Sequence, residues 1–586
     1  MLTSSCYPLN KLSRRSCVVL LAVLLCACSG NDFVAPNPYP KTVAQMTALI
    51  ERQLSDSAAT GGVSIALVDD QRVVWVKSFG YADAAKRSLA TPDTTYRIAS
   101  VTKTFTGTMV MQLSDQGRLA LSDPLTRFIP NFSIKPPLGF PAGAPITLHS
   151  ILTHHSGLPG DINNGVMTLA PDPDFNAGLV SYLQGEYQTY PSNVILEYSN
   201  SAISLLADVI RNASGQSFQS YSDALFQTLG MDHSSASIDS PRVAPNLAKG
   251  YQAGQEVPRF YNNGSTTGAI ISSIQDMAKF IKMVHADGRG ERGQVLKPGT
   301  LEAMLTRQNA GVPLDFDNSV GLIWFLNDTE LAYAGRLCYH DGANPGFRSH
   351  LEILRDHKLG VVVLANDEKV AFAEIAKQAL KLALQEKTGL TPPAPVGPSY
   401  SPLASWDQKR LEAIEGLYVL SSPVNGMPYI RVRSVPGALE WTSPDSGNLV
   451  HVVPRANGWL SAPESQASEY EFAELSGRRV LLWHGSGETM LIAEHYSPPP
   501  VPAPWLARVG NYHATNCRSA FPCGALGVIV ADGLLGVGGS VLFPVSDTLG
   551  YLRGLNRAGG SAVQVLSIPP DGHEEIQILG VRYRKI

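Results

Sequence analysis

A proline-rich run, Thr391-Pro-Pro-Ala-Pro-Val-Gly-Pro398, splits this 586-residue chain into two stretches of different periodicity. A stiff spacer of that kind marks a boundary between separately packed bodies. Upstream, apolar residues recur at both helical and strand spacing; downstream, from about 411, short β-prone runs alternate with turn residues. The expected division is a mixed body over 42–390, a linker over 391–410, and β-barrel-like units over 411–497 and 505–586. Ile414-Glu-Gly-Leu-Tyr418 and Val509-Gly-Asn-Tyr512 open the two units alike, and each closes on an apolar strand ending in tyrosine, Tyr496 and Tyr583. Two barrels in tandem are expected, with one larger barrel as the alternative.

Within the mixed body, Val43, Met46, Ile50 and Leu54 recur at helical spacing. Runs 63–68 and 73–79 form a hairpin joined at Asp69-Asp70-Gln71, and 349–354 with 359–365 form a second, followed by an amphipathic helix over 370–384. These elements predict an α/β (α+β) fold, a sheet flanked by its first and last helices. The segments between them make a helical lobe, in which Ser273-Ile-Gln-Asp276 resembles a capping box.

Lys11, Arg14 and Arg15 precede an apolar run over 17–27 that is too short to span a membrane stably, the pattern of an export signal over 1–27. Leu25-Cys26-Ala27-Cys28 resembles the bacterial lipobox, which implies a lipidated Cys28, a tether over 28–41 and an outer-membrane lipoprotein; plain secretion into the periplasm, with cleavage nearby, is the alternative. Of the cysteines beyond Cys28, Cys338, Cys517 and Cys523, the last two are close enough to close a small loop, and an oxidising compartment favours a disulfide there over two buried thiols. No cysteine–histidine cluster has zinc-ligand spacing, so no metal and no cofactor are expected. A formal net charge of only −4 gives no reason to expect a nucleic-acid partner.

A serine hydroxyl becomes a nucleophile only beside a proton acceptor. Ser100-Val-Thr-Lys103 supplies one locally, because residues three apart share a helix face; Phe105, Met109 and Leu113 continue that helix and Gly117 closes it. For Lys103 to act as a base, burial or neighbouring cations must favour its neutral amine. Tyr198-Ser-Asn200, between a strand-like 194–196 and a helix over 203–210, adds a phenol that can share a proton and an amide that can bind a carbonyl. A strand edge should close the site and offer a backbone N–H to an oxyanion. Lys387-Thr-Gly389 reads as a helix end with a glycine C-cap directly before the linker, whereas His340-Asp-Gly342 precedes the terminal hairpin and is preferred. His154 and His155 are assigned to holding the loop before Gly157 rather than to catalysis.

Arg97-Ile-Ala-Ser100-Val-Thr-Lys103, Ile151-Leu-Thr-His-His-Ser-Gly-Leu-Pro159, Tyr198-Ser-Asn200, the 265–280 stretch and His340-Asp-Gly342 occur in the order seen in the β-lactamase-related serine hydrolases, so 42–386 resembles that family. The family includes class C β-lactamases, D-alanyl-D-alanine carboxypeptidases, D-aminopeptidases and family VIII esterases. The resemblance implies a β-lactamase/transpeptidase-like domain, with Ser100 as acyl-enzyme nucleophile and Lys103 as its proton acceptor. Tyr198 would pass protons to the leaving group and later activate water, Asn200 would position the substrate amide, and the N–H groups of Ser100 and Ala343 would hold the oxyanion. His340 stands where β-lactamases have lysine, a departure shared with the peptidase and esterase branches. The expected substrate is a small peptide, including D-residue peptides; the alternatives are an ester and, in another class, a non-catalytic envelope-binding protein. Tandem barrels also resemble the D-aminopeptidase layout, in which a barrel loop reaches into the cleft.

Overall fold

The computed structural model describes residues 37–586 apart from 142, 162–163, 395–400, 422–427, 444–445, 464–467, 486–487, 556–559 and 569–571. The expected signal over 1–27, Cys28 and most of the tether lie outside the described residues. Helix α1 (Pro40–Asp56) leads into strands β1 (Gly62–Asp69) and β2 (Arg72–Asp83). After a 3₁₀ turn at Ala99–Val101 come helices α2 (Thr102–Asp115), α3 (Asn200–Ser214) and α4 (Ile274–His285) of the lobe. Strands β3 (Leu337–Asn344), β4 (Phe347–Leu354) and β5 (Leu359–Ala365) and helix α5 (Phe372–Thr388) complete the mixed body.

The sheet is antiparallel, in the order β3-β4-β5-β1-β2, and extended beyond β2 by the short strand Ser88–Leu89. Strand β5 reads as an apolar run and β1 as one interrupted by Ser64 alone, because both of their faces are covered. Val63, Ile65, Leu67, Val361 and Val363 pack towards α1 and α5, whereas Ala66, Val68, Val362 and Leu364 pack towards the lobe. Met46 and Ile50 of α1 are fully buried in the first layer, each contributing about 2 kcal/mol. Glu386 of α5 ties down the start of α1 by accepting from the Thr42 N–H at 2.8 Å and the Thr42 hydroxyl at 2.7 Å.

Two sequence expectations need correction. Residues 194–196 form no strand: the Leu196 N–H is taken by the Asp315 carboxylate at 2.7 Å and the Glu197 N–H by the His154 carbonyl at 2.7 Å, so a loop partner replaces a ladder. Ser273 does cap α4, accepting from the Asp276 N–H at 3.2 Å. Asp276 does not reciprocate; its carboxylate accepts from the His233 N–H at 2.7 Å and the Ser234 hydroxyl at 2.8 Å, fixing a neighbouring strand instead.

Beyond the linker stand two closed eight-stranded barrels, Gly416 to Tyr496 and Gly510 to Lys585, so the tandem arrangement holds over the single larger barrel. The shared opening sequence has a shared geometry. The Tyr418 hydroxyl donates to the Ile414 carbonyl at 2.8 Å and the Tyr512 hydroxyl to the Arg508 carbonyl at 2.7 Å, while Gly416 and Gly510 both take a positive φ, 145° and 146°, that suits glycine. Leu417, Val419, Tyr496, Leu534 and Val541 join the barrels in one apolar cluster. Tyr190 of the lobe, buried, donates to the Gly554 carbonyl of the second barrel at 2.6 Å.

Candidate active site

The 3₁₀ turn that carries Ser100 ends β-structure and begins α2, and its position is set from three sides. Thr95–Arg97 pairs with Ile271–Ser273, the Ile98 carbonyl accepts from the Ser349 hydroxyl at 2.7 Å, and Gly342 of β3 passes directly over the turn. A Cβ on Gly342 would stand 2.4 Å from the Ile98 carbonyl oxygen and 3.1 Å from the Ala99 Cβ. Glycine is therefore required here by close approach.

Lys103 has no exposed surface. Its Nζ donates to Ser100 Oγ at 2.9 Å and to the Thr267 carbonyl at 2.8 Å, and lies 5.0 Å from the centre of the Tyr198 ring. The Tyr198 ring stands between two imidazoles, His154 at 4.3 Å and His340 at 6.3 Å between centroids. Asn200 opens α3, and its amide donates to the Asp161 carboxylate at 2.7 Å. His340 is buried; its Nδ1 lies 2.7 Å from the Asp341 carbonyl, and Nε2 has no hydrogen-bond partner among the described residues. Burial, and then the Lys103 charge, pull this imidazole down to about 4, so it is neutral at physiological pH.

Strand alternation fixes where the Ala343 N–H points. At Tyr339 both backbone groups bond Phe325 on the outer edge of the sheet, at 2.9 and 3.1 Å. With a period of two and no register shift in the pairing with β4, Asp341 and Ala343 also turn their N–H groups outward, away from β4. Ala343 lines the cleft together with Ser100, Asn200 and Asp161. Ser100, Lys103, Tyr198, Asn200, His340, Gly342 and Ala343, spread over some 240 positions of sequence, thus gather around one turn. Lys387-Thr-Gly389 does not join them: Gly389 is the left-handed C-cap of α5 (φ 77°), and Lys387 pairs with Asp69 at 2.6 Å.

Of two further contributors, sequence reasoning missed the first outright and suggested the second only through the resemblance. Asp315 is fully buried, and its carboxylate meets His155 Nε2 at 2.7 Å, the Asn309 amide at 2.6 Å and the Leu196 N–H at 2.7 Å. It holds the loop that delivers Tyr198, and no local pattern around 315 signals this. Breaking such a buried network leaves polar groups without partners, so Asp315→Ala should cost about 3 kcal/mol of stability, read as a lower midpoint in urea unfolding. The second contributor is the loop closed by the Cys517–Cys523 disulfide. Ser519, Phe521, Pro522 and Cys523, with Val581 and Tyr583, form one wall of the cleft, whose volume is ≈ 360 Å³. The loop is docked on the lobe: the Ala520 N–H donates to the Met167 carbonyl at 2.7 Å and Arg518 pairs with Asp172. Cys338 is a buried thiol, pushed up to about 12 by burial. Among the described residues no group of His, Cys, Asp and Glu is arranged to hold a metal ion.

A buried ion cluster lies next to the site, on β3 and β4. His350 is fully buried between the Asp341 carboxylate on Nδ1 and the Glu352 carboxylate, 2.9 Å from Nε2. Burial alone would lower this imidazole, yet the bonds to both carboxylates outweigh it and raise it to about 9. A folded-state value above the unfolded one, roughly 6.5, means that the stabilisation is complete below that pH and is lost as pH rises through 9. Denaturation midpoints compared at pH 6 and pH 9 should fall more in the wild type than in His350→Gln.

The sequence profile of the family described as Beta-lactamase matches residues 47–385, more than half of the chain. The chain belongs to the beta-lactamase family. It is 26% identical to Protein flp of Staphylococcus aureus (strain NCTC 8325 / PS 47) over 332 residues, 55% of this chain and 62% of that protein; the chain thus matches less than two thirds of that relative's length. Against a Beta-lactamase of Escherichia coli (strain K12) the identity is 26% over 378 residues, 59% of this chain and 93% of that one. Two solved structures share the fold: the octameric penicillin-binding protein homologue from Pyrococcus abyssi, at 23% identity and TM-score 0.53, covering 78% of this chain and 99% of its own, and SurE crystallised with D-Leu, at 20% identity and TM-score 0.52, covering 78% and 100%.

Proposed function

We propose that this beta-lactamase family member is an acyl-enzyme serine hydrolase that cleaves amide bonds of small peptides, including those with D-residues. The observation that carries the reading is the 2.9 Å contact between Lys103 Nζ and Ser100 Oγ, buried on the lysine side and open to the cleft on the serine side. Ser100 Oγ attacks the acyl carbon and its proton passes to Lys103, which must shed its own proton first to act as the acceptor. The oxyanion is held by the N–H groups of Ser100 and Ala343. Tyr198, in contact with Lys103, hands a proton to the departing amine, then takes one from the water that attacks the acyl-enzyme; Lys103 returns its proton to Ser100 Oγ as the ester bond breaks and the acyl group leaves as an acid.

Two features support a peptide over a β-lactam antibiotic. His340 is neutral and buried, so it presents no fixed cation to a substrate carboxylate. The disulfide loop closes one end of the cleft, which favours short substrates. Phe521→Ala should widen that end, raising kcat/KM for tetrapeptides relative to dipeptides by about tenfold while labelling of Ser100 stays at the wild-type level; an unchanged ratio assigns the loop no part in selection. Amide and ester chemistry are separated by direct assay. Turnover of a D-residue dipeptide at about 10⁴ M⁻¹ s⁻¹ or faster supports the peptidase reading, and activity confined to p-nitrophenyl esters sinks it. Export, with lipidation at Cys28, completes the proposal; it rests on residues 1–40, and the disulfide supports an oxidising compartment.

A further inference from the structure

A second cavity, of ≈ 200 Å³, adjoins the catalytic one, and Phe260 and Phe347 stand in its wall. Ile238, Leu247, Val257 and Pro258 make much of the rest apolar, and Arg97 is part of the lining. Arg97 is 3% exposed. Its guanidinium lies 3.8 Å from the Phe260 ring centre and donates to the Phe260 carbonyl. A guanidinium carries five donors and a permanent charge, and a buried one is ordinarily matched by a carboxylate. Arg97 has no carboxylate partner among the described residues; the charge that acts on it is another cation, Arg259. The rim cations are matched, Lys249 by Glu256 at 2.6 Å and Arg259 by Asp239. The unmatched charge therefore belongs to the innermost of the three cations. Burial and Arg259 together pull the Arg97 guanidinium down to about 9, the electrostatic cost of that arrangement.

We propose that this cavity binds a small monocarboxylate with a branched apolar body, its carboxylate on Arg97 and its body against Ile238, Leu247, Val257 and Phe347. The planar fork of a guanidinium fits a carboxylate with two parallel bonds. A single unmatched cation in an apolar pocket suits one negative charge and not a strongly hydrated dianion. The site lies beside the catalytic cleft, because the Phe260 ring meets Phe521 of the disulfide loop edge-on at 5.3 Å.

The test is calorimetric titration of the full chain with 4-methylpentanoate and, in parallel, with the uncharged 4-methylpentanamide. Saturable binding of the carboxylate with a Kd of about 1 mM or below is expected, weakened about tenfold or more for the amide. Arg97→Gln should weaken it by a similar factor. Val257→Phe, which fills the cavity from its partly exposed side, should do the same and decides the matter if Arg97→Gln fails to fold. No saturable binding, equal binding of the amide, or undiminished binding by folded Val257→Phe would each overturn the proposal; the last would place the ligand elsewhere, including the catalytic cleft.

Discussion

Replacing Ser100 by alanine should lower kcat by about 10⁵-fold and abolish covalent labelling by a fluorophosphonate, with substrate affinity little changed. The size follows from the arrangement: the nucleophile, its Lys103 acceptor and the oxyanion donors act as one unit, so removal of the attacking atom forfeits nearly the whole covalent route and leaves only binding and electrostatic stabilisation. Intact-mass spectrometry of wild type and Ser100→Ala, each incubated with a fluorophosphonate and separately with a penicillin, reads this directly. One fluorophosphonate adduct on wild type alone establishes Ser100 as an activated nucleophile. A lasting penicillin adduct adds support for a peptidase over an esterase. If neither reagent labels the wild type, the catalytic reading fails and a binding protein that retains the family's site becomes the better account.

Gly342→Ala should lower both stability and kcat, for a different reason. The added methyl would sit 2.4 Å from the Ile98 carbonyl oxygen and 2.2 Å from Ser349 Oγ; the hydroxyl can rotate away but the backbone cannot. Edge strand β3 must lift from the Ser100 turn, which should cost about 3 kcal/mol of stability. The same shift carries the Ala343 N–H away from the place where an oxyanion forms, and loss of one such donor lowers kcat by about 10²- to 10³-fold. Urea unfolding and steady-state kinetics on the same preparation separate the two effects. Lost stability with an intact kcat would remove Ala343 from the oxyanion hole.

The elements most readily legible in sequence were those whose signal is local. The 3.6-residue spacing of Met46 and Ile50, the apolar runs of β1 and β5, and the serine–lysine spacing at the head of α2 each depend on a few consecutive residues. The glycine after Lys387-Thr388 was legible for the same reason, since it closes a helix that is itself periodic. What stayed hidden depends on partners far along the chain. Asp315 reaches back 119 positions to the Leu196 N–H, and residues 194–196, β-prone in themselves, lose their strand to that loop contact. Asp276 stands where a capping partner would, but a buried serine 42 residues away engages it. The Cys517–Cys523 loop was legible as a loop; the cleft wall it forms was suggested only by analogy with a layout, because nothing in its own residues points at residue 167.

One wall of the cleft comes from Val581 and Tyr583, and the nucleophile from residue 100. The cleft consequently cannot be finished until nearly five hundred further residues have been made and the second barrel has closed. A chain emerging N-terminus first can fold its mixed body early, but that intermediate lacks the cleft wall formed by the disulfide loop, Val581 and Tyr583. The pocket that holds a bound molecule is in this sense the last part of the protein to be completed.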